Sequence, residues 1–433
     1  MDRTEHVGDH LHVSTHLDGS GWRVLAPFKF RDYRLLIAAV ACSIFATGMW
    51  TVVMALQVIA ISNDPAALSL VATCLAVGLV TFVLVGGIAA DRFPQRHIII
   101  LVETVNTVAV SAVAILGLLG SLRLWHMAVA SAALGIAAAF FFPAYSAYLP
   151  RLLPPEQLLA ANGIEGVLRP TLQQAVGPAI AGLLIGATFP TVGAVICAVL
   201  YGIGLALLIA TRPVVQRPET EHARARVLTD LREGFRFMVR TPWLLATLLF
   251  ASGFVLLIMG PIEVLLPFVT NARFENGERT FGFVLAAFGA GGAIGALAVS
   301  SWRLPRRYMT VLMSCWCIGN LPIIALGYTS SFLLMSSASF VIGVTSGAAM
   351  VIWGTLLQRR VPPQMLGRVS SLDFFVSLVF MPVSMALAGP LSKVISIQTI
   401  FLVAGLGPVL LGLAAYLAAR MFRDEIEHPL DVR

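Results

Sequence analysis

Apolar residues in this chain gather into long runs separated by short polar breaks. The hydrocarbon core of a bilayer is ~30 Å thick, so a helix needs about 20 apolar residues to cross it. Measured against that length, the sequence predicts twelve spanning helices: 35–61, 68–90, 98–119, 125–148, 164–187, 190–210, 244–270, 281–300, 308–327, 332–357, 371–390 and 398–419. An even number of crossings returns the chain to the side on which it began. The first ~27 residues are polar and partly acidic, with no apolar core, and do not read as a cleaved signal. His6, His10, His12 and His16 lie in this tail, which reads as solvated chain rather than a metal site.

Composition agrees with the pattern. The chain has 433 residues, 58% hydrophobic and 12% charged, where a soluble domain carries about 25% charged. The polar surface that would cover a soluble globule of this size is missing, so lipid must do part of the covering. The net charge of +7 does not point to nucleic acid, because the basic residues are scattered between apolar runs rather than gathered on one face. Their scatter is ordered in another way. The termini and even-numbered loops hold Arg23, Lys29, Arg31, Arg34, Arg92, Arg96, Arg151, the run from Arg212 to Arg240, Arg303, Arg306, Arg307, Arg359, Arg360, Arg368, Arg420 and Arg423. The opposite loops hold only Arg123, Arg273, Arg279 and Lys393. Positive charge stays inside, which predicts cytoplasmic termini. Among the Lys and Arg residues only Lys29 and Lys393 are lysine, the bias of a GC-rich bacterial genome, so the expected location is a bacterial inner membrane. Cys42, Cys74, Cys197, Cys315 and Cys317 lie inside apolar runs with no metal-ligand spacing and no disulfide framework. Neither metal nor cofactor is expected.

The long polar stretch 212–242 divides the chain. The expected organisation is an N-terminal tail (1–30), a six-helix bundle (31–211), a linker (212–242), a second six-helix bundle (243–420) and a C-terminal tail (421–433). Within the linker, Leu228, Leu231, Phe235 and Met238 recur at helical spacing among Asp230, Arg232 and Arg236, which predicts a helix lying along the membrane surface. The halves also repeat. Pro305 of Arg303-Leu304-Pro305-Arg306-Arg307 stands 211 positions after Pro94 of Arg92-Phe93-Pro94-Gln95-Arg96. LPRLLPPEQL from Leu149 matches LQRRVPPQML from Leu357 at a spacing of 208, and Gly177-Pro178 matches Gly389-Pro390 at 212. These landmarks describe a duplicated six-helix unit, the parallel-repeat plan of alternating-access carriers.

Gly87-Ile88-Ala89-Ala90-Asp91-Arg92 after the second helix resembles the loop signature of the major facilitator superfamily, with Pro94, Gln95 and Arg96 where that family continues with a glycine and two basic residues. Gly177-Pro178-Ala179-Ile180-Ala181-Gly182 resembles the fifth-helix signature of its antiporters. Asp230-Leu231-Arg232-Glu233-Gly234-Phe235 and the run Pro154 to Asn162 resemble the enterobactin-exporter branch, with its macrolide and multidrug efflux proteins. The resemblance covers residues 30 to 420 or so. It implies an all-α membrane protein of twelve transmembrane helices in two pseudo-symmetric bundles, and a monomeric secondary carrier working on small molecules. It implies a gating role for Gly87, Asp91, Arg92 and Arg96, with Asp91 meeting the start of the eleventh helix near Arg368, a place suited to a carboxylate. Trp302 stands at the repeat position of Asp91, so such a latch is one-sided. Gly177, Pro178 and Gly182 allow close packing and a bend in the fifth helix. Gly289, Gly291, Gly292 and Gly295 lie within a span with no preceding strand, so they read as helix packing rather than a nucleotide loop.

Charges inside spans are costly and functional by default. Glu263 lies in the seventh helix, Glu103 in the third, and Glu165 and Arg169 in the fifth, four apart and able to pair. Asp373 is the repeat partner of Glu165. The family resemblance implies that helices one, four, seven and ten line the cavity, and among these acids only Glu263 lies on one of them. It is the candidate carrier of a coupling proton, the alternative being a hydrogen bond to Gln57. Glu165, Arg169, Asp373 and Glu103 read as supports of the helix ends. The cavity candidates are Trp50, Met54, Gln57, Phe140, Phe141, Tyr145, Met259 and Trp353. This aromatic, soft lining suits flat, apolar or cationic molecules, and predicts proton-coupled export of drugs or siderophore-like metabolites. A dedicated lipid or metabolite transporter is the alternative. An intramembrane transferase would need a metal or nucleophile constellation, and none is present in the spans.

Overall fold

A computed structural model describes residues 23–213, 227–301, 305–362 and 365–429. Among them the fold is entirely helical, with no strand. The first six spans are Arg31–Ile61, Pro65–Arg92, Gln95–Leu118, Leu124–Leu152, the composite run from Pro155 to Ile185, and Pro190–Ile209. The second six are Pro242–Arg273, Gly277–Ser301, Tyr308–Tyr328, Phe332–Arg360, Leu366–Ser392 and Ile397–Ala418. All but the fifth are long and apolar enough to cross a membrane as single stretches. The fifth is divided into Pro155–Leu168, a π-helical Arg169–Val176 and Gly177–Ile185. Glu165, Arg169, Gln173 and Gln174 make it the most polar span.

Local chemistry fixes many of the ends. Proline, whose missing N–H is unneeded in a first turn, opens the second, fifth, sixth and seventh helices as Pro65, Pro155, Pro190 and Pro242. Asp64 caps the second helix by accepting the Ala66 N–H at 2.9 Å, and Ser396 caps the twelfth by accepting that of Thr399 at 3.2 Å. Hydroxyls within the spans bond back to carbonyls one turn earlier, as Thr247 to Trp243 (2.7 Å) and Thr107 to Glu103 (2.7 Å). Large apolar side chains such as Leu101, Val129, Leu249 and Leu410 are exposed, which is lipid-facing surface.

The bundles repeat in contact as well as in sequence. The second helix lies against the fourth, and the eighth against the tenth. In both pairs glycine lets backbones meet: a methyl group at Gly135 would strike the Leu75 carbonyl, and one at Gly295 that of Val344. Gly289 presses on the Gln174–Ala175 backbone of the fifth helix, so these eighth-helix glycines are packing positions.

Three cores form. One holds only first-half residues, among them Tyr33, Ile99, Tyr145 and Tyr148. A second holds only second-half residues, among them Trp243, Tyr308, Trp353 and Met421. The third draws on both halves, from Met49, Val71 and Ala181 to Leu265, Phe281 and Phe401. The first two lie toward the end of the molecule where the first helix starts and the twelfth stops. The shared core lies at the far end.

Part of the predicted linker, 214–226, lies outside the described residues, as do residues 1–22 with their four histidines. Val227–Arg240 is a helix as the spacing predicts, with Met238 buried and Phe235 exposed. Beyond the twelfth span a further helix, Met421–Glu427, docks on the ninth: Glu425 accepts the Thr310 hydroxyl at 2.6 Å and N–H at 3.0 Å.

Candidate functional site

The two halves meet closely at the far end. Gly182 of the fifth helix lies against Gly282 of the eighth, where a methyl on either would stand 2.9 or 2.8 Å from the other's Cα. Ser69 Oγ accepts the Gly389 N–H at 2.7 Å, and Lys393 donates to Asp64 at 2.8 Å, both joining the second helix to the eleventh. Arg279 donates to the Gly186 carbonyl at 3.2 Å. The few basic residues of the far-end loops therefore include two that tie one half to the other. Gly177 and Pro178 are buried, with Gly177 against Gly48 of the first helix.

Toward the other end the described contacts between the halves thin out, although Leu79, Val80 and Val83 of the second helix still face Phe374, Phe375 and Leu378 of the eleventh. A methyl group added at Gly87, Gly163, Gly166, Gly354 or Gly367 would meet nothing within 4 Å. These glycines sit on the second, fifth, tenth and eleventh helices. Open space beside four helices, together with two separate cores, marks the direction in which a central space would open.

The loop-signature residues do not act as one group here. The side chain of Asp91 lies outside the described residues, as does Trp302 at its repeat position. Arg92 is exposed. Arg96 turns into its own half and caps the sixth helix, donating to the carbonyls of Ile209 (2.9 Å) and Thr211 (2.8 Å) and to the Thr211 hydroxyl (3.0 Å). Gln95, which the signature gave no role, is buried and donates to the Ala90 carbonyl at 2.6 Å.

The cavity candidates fall into three places. Trp50, Met54 and Gln57 are buried in the shared core, and Met259 packs against it. Tyr145 is buried in the first-half core, with Phe140 and Phe141 beside it and Phe141 stacked on Tyr145 at 5.7 Å. Trp353 is buried in the second-half core, 6.2 Å from Trp243 and 6.1 Å from Trp316.

Glu263 sits in a π-helical turn, Pro261–Leu265, half-buried. Proline lacks the N–H that a regular helix would use here, and π-turns of this kind recur at functional sites. The alternative partner, Gln57, instead accepts the Thr191 hydroxyl at 3.2 Å. Glu165 and Arg169 pair at 2.7 Å, and the Arg169 guanidinium lies 4.6 Å from the Phe142 ring centre. Asp373 accepts the Trp353 indole N–H at 3.1 Å and the Ser377 hydroxyl at 3.4 Å. Glu103 is almost fully buried in the first half, and its Oε2 has no hydrogen-bond partner among the described residues. Its neighbours Ser43 and Gly204 come from the first and sixth helices, contacts that no periodicity could have announced.

A duplicated helical bundle with lipid-facing sides, its halves joined more closely at one end than at the other, has the architecture of a membrane transporter. The chain belongs to the Major Facilitator Superfamily, whose family model matches residues 36–372. The chain is 28% identical over 409 residues to the multidrug efflux pump Tap of Mycolicibacterium fortuitum, covering 89% of this chain and 96% of that one. It is 25% identical to the enterobactin exporter EntS of Escherichia coli, covering 90% and 93%. Among solved structures, the nucleoside transporter NupG superposes with a TM-score of 0.67 at 14% identity, over 90% of this chain and 99% of that one.

Proposed function

We propose that the protein is a monomeric secondary active exporter of small amphipathic molecules, drugs or siderophore-like metabolites, driven by proton entry across a bacterial inner membrane. The observation that carries the reading is the lopsided joining of the two halves, tied at the far end by Asp64–Lys393, Ser69–Gly389 and Gly182–Gly282 and more thinly in contact toward the other. A carrier needs such a path, open on one face at a time. The Arg distribution supports cytoplasmic termini, so the more thinly joined end faces the cytoplasm, where an exporter loads. The named relatives, an efflux pump and an exporter, support the direction.

Glu263 carries the proton in this reading. It stands in the half of the seventh helix nearer the far end, at a break in regular helix, with no hydrogen bond to another described residue. Opening of the far end would bring it water from outside. The gating role of Gly87, Asp91, Arg92 and Arg96 belongs to the opposite state, in which the cytoplasmic end closes.

The test is accumulation of a fluorescent cationic dye in cells expressing the chain, with and without a protonophore. Lower accumulation that the protonophore abolishes is expected. Unchanged accumulation across several dyes overturns multidrug export in favour of one dedicated substrate. Glu263→Gln should abolish proton-driven export while the protein still inserts. Undiminished export in that variant removes Glu263 from the mechanism.

A further inference from the structure

The internal repeat sets three residues of one half on three of the other at a single spacing of 208: Tyr145 on Trp353, Glu165 on Asp373 and Arg169 on Ser377. In each half a carboxylate of the fifth or eleventh helix faces an aromatic residue of the fourth or tenth. The difference lies in the third position. Glu165 is paired to Arg169 at 2.7 Å. The same guanidinium lies over the Phe142 ring at 4.6 Å. Asp373 has Ser377 where Glu165 has Arg169. Its hydrogen-bond donors among the described residues, the Trp353 indole and the Ser377 hydroxyl, are both neutral.

Among the described residues no cationic side chain bonds to Asp373, although the linker helix packed on the eleventh carries Arg232, Arg236 and Arg240. The stretch Pro242–Gly260 of the seventh helix carries no charged residue. The tenth carries its only charges, Arg359 and Arg360, at its end, and Arg360 is bound to Asp424. The second helix carries Asp91 and Arg92 at its end. On the eleventh helix itself Arg368 is bound to Glu233 of the linker helix at 2.6 Å. Asp373 is thus a half-buried acid at membrane depth, oriented by two neutral bonds, with an indole beside it. A lipophilic cation satisfies such a place through its charge.

We propose that Asp373 is the subsite for the positive charge of a lipophilic cation. Arg169, paired to Glu165 and stacked on Phe142, is the first half's built-in version of the group that Asp373 takes from a substrate. Trp353 is a positioning residue that holds the carboxylate through its indole N–H. The inference deepens the exporter reading and rests on it for the meaning of binding.

The experiment uses the purified full chain in detergent and measures equilibrium binding of tetraphenylphosphonium, a permanent cation, beside triphenylphosphine oxide, a neutral analogue. Asp373→Asn should weaken tetraphenylphosphonium at least tenfold and leave the oxide within twofold, and Asp373→Glu should keep most of the cation affinity. Ser377→Arg, which recreates the Glu165–Arg169 arrangement, should weaken the cation selectively. It decides the matter if Asp373→Asn does not fold. Absent saturable binding to the unaltered protein, equal cation binding by Asp373→Asn, or parallel loss of both probes overturns the subsite. Cation binding that depends on Asp373 without export in cells would sink the exporter reading and leave the subsite standing. Export with an unaffected Asp373→Asn would do the reverse.

Discussion

At the end of the sixth helix the carbonyls of Ile209 and Thr211 have no further turn to bond to, and Arg96 reaches them from the third helix. The last carbonyls of a helix need partners from outside it, and hydrogen bonds to a charged donor contribute about 1.5–3 kcal/mol. Arg96→Ala should therefore lower unfolding stability by about 2 kcal/mol, read as an earlier melting midpoint in detergent, with Arg96→Lys recovering part of it. The signature around Asp91 was legible as a motif, yet sequence alone could not say that its last basic residue serves its own half. Glu103 makes a second case. Its carboxyl lies among first-, third- and sixth-helix residues with Oε2 unbonded. Glu103→Gln keeps the shape and removes a group that an apolar interior penalises, so the variant should melt no earlier than the parent. A large loss would mean that the charge itself is used. The Asp64–Lys393 pair gives a pH prediction. The hydrogen bond from Lys393, then that from Ala66, holds the Asp64 carboxyl below the usual carboxylate range. A folded value below the unfolded one means the contribution is present above the ordinary Asp range and fades as pH falls through the lowered value. Distances between spin labels on the loops at 62–64 and 393–396 should stay short at neutral pH and lengthen only in acid. Lys393→Met should lengthen them at neutral pH and remove the dependence.

Among the elements, eleven spans read from hydrophobic runs alone because lipid contact demands uninterrupted apolar length. The fifth was harder to bound. Its first turns from Pro155 carry Glu156, Gln157 and Asn162, so the apolar ruler opened the span at 164, while the helix begins nine residues earlier. The docked helix Met421–Glu427 read as tail because its acids look solvated until Thr310 and Arg360 are placed beside them. The π-turns were illegible for another reason: proline announces a missing bond, but not whether the helix kinks or widens. Arg169–Val176 and Pro261–Leu265 both have proline in their first turn and widen. Pro261→Ala should let the seventh helix return to regular winding, re-aiming Glu263. The expected outcome is normal folding with export reduced severalfold, measured as dye efflux at equal expression, and full export would show that the wide turn is incidental. Gly182→Leu acts on a different link, since a side chain there collides with the Gly282 backbone. It should favour a parted far end.

For the whole molecule, the repeat was visible in three sequence landmarks, but not which end closes. That depends on packing between residues more than 300 positions apart, such as Ser69 with Gly389 and Asp64 with Lys393. If the chain alternates its access, this far-end seam must open once per cycle. The cysteines Cys42, Cys74, Cys197, Cys315 and Cys317 lie within the spans, two of them buried, so a pair of thiols placed outside can be addressed selectively. Joining Asp64→Cys to Lys393→Cys with a short bifunctional reagent that reduction can cleave ties the second helix to the eleventh without touching either core. The expected result is that export stops on joining and returns on reduction, while binding of tetraphenylphosphonium from the opposite end persists throughout, because the space beside Gly87, Gly163 and Gly354 is unaffected. Export that continues with the seam joined would mean that substrate leaves by another path, such as sideways between helices into the lipid, and the two-ended carrier would have to be abandoned in favour of a lateral one.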